Sequence, residues 1–281
     1  MQHIVLLLLF ALLSSPVIAT SPGTALNWAI NTAPPFHIVG GVFDQKGLCD
    51  QLLSSIQKQL PNSGHRVVLM PQPRIHQALN NKQQLCFPCM IHRSQPTHTA
   101  VFSTPTHWYR PTGIITRQAL AQHLTEQFGS PLHLQSLLKS ETFKLGLAAG
   151  RKYAELEPLL EPYRQNALVR SGDDSPVALL KMIQSGRIDF TLDYDIILTY
   201  LNKTEPNQAK GLVYVPISEL ASPIAGAVGC SNSDWGRRQI ELINSVLPKV
   251  QADPDFKQSL ELWFDTRVLP MPSEPKAQLK Q

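Results

Sequence analysis

The chain has 281 residues, 43% of them hydrophobic, and a formal net charge of +4 at neutral pH. That is enough apolar material for one large or two modest domains. Its Lys and Arg residues are scattered, which excludes the basic stripe that phosphate-backbone binding needs, so no nucleic-acid partner is expected.

Ile4–Leu13 is a continuous apolar run, too short to span a bilayer. It leads into Ser14-Ser15-Pro16-Val17-Ile18-Ala19, whose small residues predict cleavage after Ala19. Residues 1–19 are therefore read as a cleaved secretory signal. No Cys follows the cleavage site, so a lipoprotein is not expected.

Leu26, Trp28 and Ile30 alternate with polar or small residues, the period of a strand. Pro34 and Pro35 stop that strand and leave Phe36 at its carboxyl end, where open α/β sheets bind ligands. Phe36 is either a pocket wall or a core aromatic at a tight turn. Leu52, Leu53, Ile56 and Leu60 recur at helical spacing over 50–60, and His65–Met70 reads as a second strand. After a short helix through Ala78 and Leu79, residues 84–90 form a third, buried strand. Phe102-Ser103-Thr104-Pro105 is another stop, and 108–116 an extended crossing.

The βα rhythm then restarts. Helical or irregular segments over 118–138 precede a strand at 143–147, an exit loop at 148–152 and a helix over 153–160. A strand at 166–170 and a helix over 177–183 follow, then a strand at 188–192 and a helix opened by Asp193-Tyr194-Asp195. Residues 202–210 read as a polar loop. Strands at 211–216 and 223–230 return the chain, and Ser231-Asn232-Ser233-Asp234 caps a long helix with an apolar stripe from Trp235 to Val250. A last helix covers 255–264, before a polar, Pro-rich tail. Two βαβ blocks joined by two extended crossings describe an α/β protein of two lobes that close on a hinge.

Cys86-Phe87-Pro88-Cys89 has redox-motif spacing, but no long amphipathic helix follows it, so a structural pairing among Cys49, Cys86, Cys89 and Cys230 is expected.

The order of these pieces resembles the family 3 solute-binding proteins, the periplasmic "Venus flytrap" subunits of amino-acid-type ABC importers. The resemblance rests on Ala33-Pro34-Pro35-Phe36, the Gly47 to Asp50 helix start and Phe102-Ser103-Thr104-Pro105. It continues through Gly146 to Gly150 and Tyr153, Ser185-Gly186-Arg187-Ile188-Asp189 and the Trp235 helix. Met70-Pro71-Gln72-Pro73-Arg74 and Cys86 point to a little-characterised bacterial branch. It implies the type 2 periplasmic-binding-protein fold, with mixed sheets flanked by helices. Residues 20–112 and 218–268 would make lobe 1, 113–217 lobe 2, and 269–281 a flexible tail. It also implies a monomer without cofactor or chemistry of its own, holding a small solute for an ABC permease. The alternatives are a sensor or adaptor for a membrane signalling partner, or a dehydratase-like enzyme. The returning strand would join the lobe 1 sheet and bring Cys230 to Cys86 or Cys89.

The family's carboxylate-binding Arg precedes the Phe-Ser-x-Pro stop; here the nearest candidate is Arg93, a departure that argues against a simple α-amino acid. Arg74, after a strand end, is either an anion ligand or a solvated helix residue. Gly150, Arg151 and Tyr153 lie between a strand and a helix start, which suits an anion. Asp193 and Tyr194 either face a ligand amine or cap the next helix. Trp108 and Tyr109 either stack on a planar ligand or pack the hinge. Arg74 and Arg151, one from each lobe, predict an anionic or zwitterionic solute. The nine histidines show no metal spacing, and His92, His98 and His107 are read as surface residues.

Overall fold

The opening alternation does form a strand, β1 (Leu26–Ile30), because Leu26 and Trp28 bury their side chains completely. The computed structural model describes residues 25–264 apart from 150, 152 and 173. The expected signal segment, the tail and Gly150 lie outside the described residues.

Two mixed sheets organise the chain. The first contains β1, β2 (His65–Leu69), β3 (Cys86–Ile91), β4 (Ala100–Phe102), β5 (His107–Tyr109) and β11 (Ile224–Ser231). Its order is β2-β1-β3-β11-β4, with β5 also paired to β11. β11 enters antiparallel between strands whose register partners lie 127 to 144 residues earlier and sets Cys230 opposite Cys86. Those two cysteines form one disulfide and Cys49 with Cys89 a second, so all four are paired.

The second sheet contains β6 (Gly113–Arg117), β7 (Leu145–Ala148), β8 (Leu168–Arg170), β9 (Phe190–Asp193) and β10 (Leu212–Val215), in the order β10-β6-β9-β7-β8. Arg117 fastens this lobe: its guanidinium donates to Asp189 Oδ1 at 2.7 Å and to the carbonyls of Ile183 and Ile188.

Helices α1 (Leu48–Gln59), α2 (Gln72–Asn80), α9 (Asp234–Ala252) and α10 (Pro254–Trp263) belong to the first lobe. The second carries α3 (Gln118–Phe128), α4 (Leu134–Lys139), α5 (Glu157–Leu160), α6 (Ser175–Gln184), α7 (Asp195–Thr204) and α8 (Pro206–Ala209). α9 opens as its cap residues dictate, with the Ser233 side chain accepting from Gly236 N at 3.1 Å. One apolar cluster runs without a break from Leu26, Leu52 and Trp263 in the first lobe to Ile183, Ile196 and Leu201 in the second.

Three expectations are corrected. Residues 202–210 are mostly helical: α7 continues to Thr204, and Pro206, which needs no N–H partner at a helix start, opens α8. The helix expected over 153–160 is irregular: a 3-10 turn (Ala154–Leu156), the four-residue α5 with Pro158 at its second position, and a second 3-10 turn (Glu161–Tyr163). His107 is buried, not superficial, because it sits on the inward face of β5 against Gly226. A Cβ on Gly226 would stand 2.3 Å from the imidazole, so the strand and ring fit together only with glycine there.

Candidate functional site

β9 ends at Asp193, whose carboxylate is only 2% exposed. A bare charge at that depth would be strongly unfavourable, and Arg151, three residues past the end of β7, compensates it. The guanidinium makes two 2.7 Å contacts, Nη1 to Oδ2 and Nη2 to Oδ1, the bidentate fork that arginine alone offers a carboxylate. Asp193 Oδ1 also accepts from Tyr194 N at 2.7 Å. Burial pushes the Asp193 carboxyl above the ordinary carboxylate range, against the pull of Arg151. Burial likewise opposes the Arg151 charge, yet Asp193, with Tyr153 and Tyr194, holds the guanidinium above its usual value. Arg151 is thus a permanent cation tied to a carboxyl that is costly to ionise without it.

Aromatic rings surround the pair. The Arg151 guanidinium lies 5.0 Å from the Tyr194 ring centre and 5.7 Å from that of Tyr153. Tyr194 meets Tyr109 edge-on at 5.1 Å and Phe36 at 6.1 Å, while Phe36 and Tyr109 stand 6.4 Å apart. Phe36 and Tyr109 come from the first lobe and Tyr194 from the second, so this trio joins the two lobes. Burial raises the Tyr109 phenol well above its ordinary value, with Tyr194 adding to the effect. Tyr153 is pushed up to about 12, chiefly by burial. Both phenols therefore remain neutral hydrogen-bonding groups.

Of the residues singled out in the sequence, Phe36, Tyr109, Arg151, Tyr153, Asp193 and Tyr194 come together. Arg74 lies outside this cluster, exposed in the first turn of α2. That turn still faces the end of β1, since Gln72 Oε1 accepts from Asn31 Nδ2 at 3.0 Å. Trp108 alternates to the other face of β5 from Tyr109 and is half-buried. Beside Arg151, Tyr153 N donates to Glu157 Oε1 at 2.6 Å, and the chain continues into a 3-10 turn and the four-residue α5.

The sequence reading missed two supports. His37, fully buried, places Nδ1 2.7 Å from Asp50 Oδ1, and Asp50 Oδ2 also accepts from Ile38 N and Gly47 N. Arg110, in the crossing between β5 and β6, reaches Asp195 at 3.4 Å and lies over the Tyr214 ring. The Gly47 to Asp50 helix start was a visible signal for the first; for the second, nothing local in the sequence indicated the pairing. Among the described residues no group of three or more His, Cys, Asp or Glu could hold a metal ion.

No protein-family model matches the chain, and no curated protein matches it significantly. Solved structures do. A periplasmic binding protein of Salmonella typhimurium with high arginine specificity is 16% identical, with a TM-score of 0.58 over 85% of this chain and 99% of that one. The fold is that of the type 2 periplasmic binding proteins. An ancestral amino acid-binding protein, a precursor of cyclohexadienyl dehydratase, is similar at 16% identity and a TM-score of 0.61, covering 86% of this chain and 96% of its own. A histidine kinase sensor domain with similarity to periplasmic binding proteins aligns at 15% identity and a TM-score of 0.63, again over 86% and 96%.

Proposed function

We propose that this chain is a periplasmic solute-binding protein that captures a small zwitterionic solute between its lobes. The carrying observation is the Arg151–Asp193 pair, roofed by aromatic rings from both lobes. Arg74 and Arg151 do not stand as two free cations awaiting an anion. Arg151 is already balanced by Asp193, so a purely anionic solute would leave the carboxylate opposed to it. A solute bearing both an ammonium and a carboxylate can meet both partners at once, with Phe36 and Tyr109 as apolar walls. Trp108, Gly150 and Arg74 are proposed to border this space.

The bound form is proposed to be delivered to an ABC permease, without catalysis. The likeness to a kinase sensor domain supports signalling to a membrane partner as the second reading. A thermal-shift screen of the mature protein against amino acids and related zwitterions tests the proposal. A true ligand at one hundred times its Kd stabilises by about 2.7 kcal/mol. The shift is expected to vanish in Asp193→Asn. Stabilisation by anions without an amine, or turnover of a bound compound, would overturn the reading.

A further inference from the structure

The two disulfides differ in what they hold. Cys86–Cys230 joins two neighbouring strands, and both residues are fully buried. Cys49–Cys89 instead anchors the first turn of α1 to β3, and Cys89 is only half-buried. That first turn carries the loop bearing Phe36. Leu48 N donates to Pro35 O at 2.9 Å and Cys49 N to Phe36 O at 2.8 Å. Asp50 receives His37 Nδ1 and the Ile38 and Gly47 amides. The approach is so close that a Cβ on Gly47 would lie 2.4 Å from Phe36 O. Residues 35–38 therefore move with the start of α1, and Cys49–Cys89 is the covalent tie that fixes that start to the sheet.

We propose that Cys49–Cys89 is a redox-sensitive clamp on the Phe36 loop, opened reversibly by a dithiol reductant. A reductant thiolate attacks the Sγ of half-buried Cys89, the disulfide bond breaks, and Cys49 leaves as a thiolate. Cys49 is the second residue of the twelve-residue α1, where the helix N-terminus stabilises that charge before a proton is taken up. The second reductant thiol then displaces Cys89 from the mixed disulfide. The dithiol loses two electrons and becomes a disulfide, and Cys49 and Cys89 end as thiols. With the tie gone, the first turn of α1 and residues 35–38 loosen together, and Phe36 no longer holds its place against Tyr109 and Tyr194. That last consequence for solute capture rests on the function proposed above; the loosening itself does not.

The experiment uses the full oxidised chain, treated with graded dithiothreitol, with thiols trapped by alkylation and mapped by peptide mass. Amide hydrogen exchange is followed on the same samples. Cys49–Cys89 is expected to open at least ten-fold faster than Cys86–Cys230. The amides of Ile38, Leu48 and Cys49 should then exchange at least ten-fold faster, while β3–β11 amides keep their protection and re-oxidation restores the rest. The Cys49→Ser/Cys89→Ser variant should show the same local pattern without reductant. Equal or earlier opening of Cys86–Cys230, unchanged exchange over 35–50 after selective reduction, or unfolding of the whole chain would each overturn the proposal. No solute enters this readout, so its failure is distinct from failure of the binding reading.

Discussion

Arg151→Ala strips the partner from a carboxylate that water does not reach. Breaking a buried pair from one side typically costs about 3–5 kcal/mol, and that loss is expected in urea unfolding at neutral pH. The pH dependence distinguishes this cause from lost packing. Without Arg151, the folded-state pKa of Asp193 rises further above its unfolded value. The penalty should thus be nearly absent below the unfolded pKa and grow as pH rises through the folded one. His107 carries the opposite sign. Its pKa is pushed down to about 4 by burial, against an ordinary value of 6.5. The stability linked to its neutral form is complete above 6.5 and declines as pH falls towards 4, by on the order of 3 kcal/mol. Unfolding free energies across that range should lose this slope in His107→Phe. Arg151 was legible as a candidate because it lies beside a strand's carboxyl end, and Asp193 because the family resemblance places an acidic group there. Their pairing was not, since 42 residues separate them and only the parallel register of β7 and β9 brings their strand ends together.

At the scale of elements, periodicity located most strands and helices; β4 was read only as a stop, β5 and β6 as one extended crossing, and the other misreadings have local causes. Residues 202–210 look like a loop because short helices need so few apolar positions, and His107 looks superficial because imidazole is polar. The choice of Cys86 over Cys89 as partner of Cys230 depends on strand register, which no local pattern encodes. That bond spans 144 residues of sequence. Chain entropy assigns such a cross-link about 5 kcal/mol. Cys86→Ser/Cys230→Ser should lower the urea midpoint accordingly while the denaturant slope rises, because the unfolded chain is released from its loop.

Over the whole molecule, the lobes meet through aromatic rings, with the Arg110–Asp195 ion pair beside them. Phe36 and Tyr109 reach Tyr194, and Trp263 at the end of α10 lies 5.8 Å from Tyr200 on α7. All these contacts converge on α7 and the residue before it. An aromatic pair contributes about 0.5–1.5 kcal/mol beyond its buried area. A double-mutant cycle of Phe36→Ala and Tyr194→Ala should return a coupling of that size in unfolding free energy. Additive effects would show that the rings do not sense one another in solution.

The position of β11 bears on how such a chain comes into being. Synthesis proceeds from the amino end, so β3 and β4 are complete while the strand that belongs between them lies more than a hundred residues away. The second sheet, drawn from 113 to 215 alone, has every strand it needs before then. Until residue 231 emerges, the half-made sheet offers two open strand edges to any extended peptide nearby. The newborn protein is thus most vulnerable to mispairing in a window that closes only with the arrival of β11.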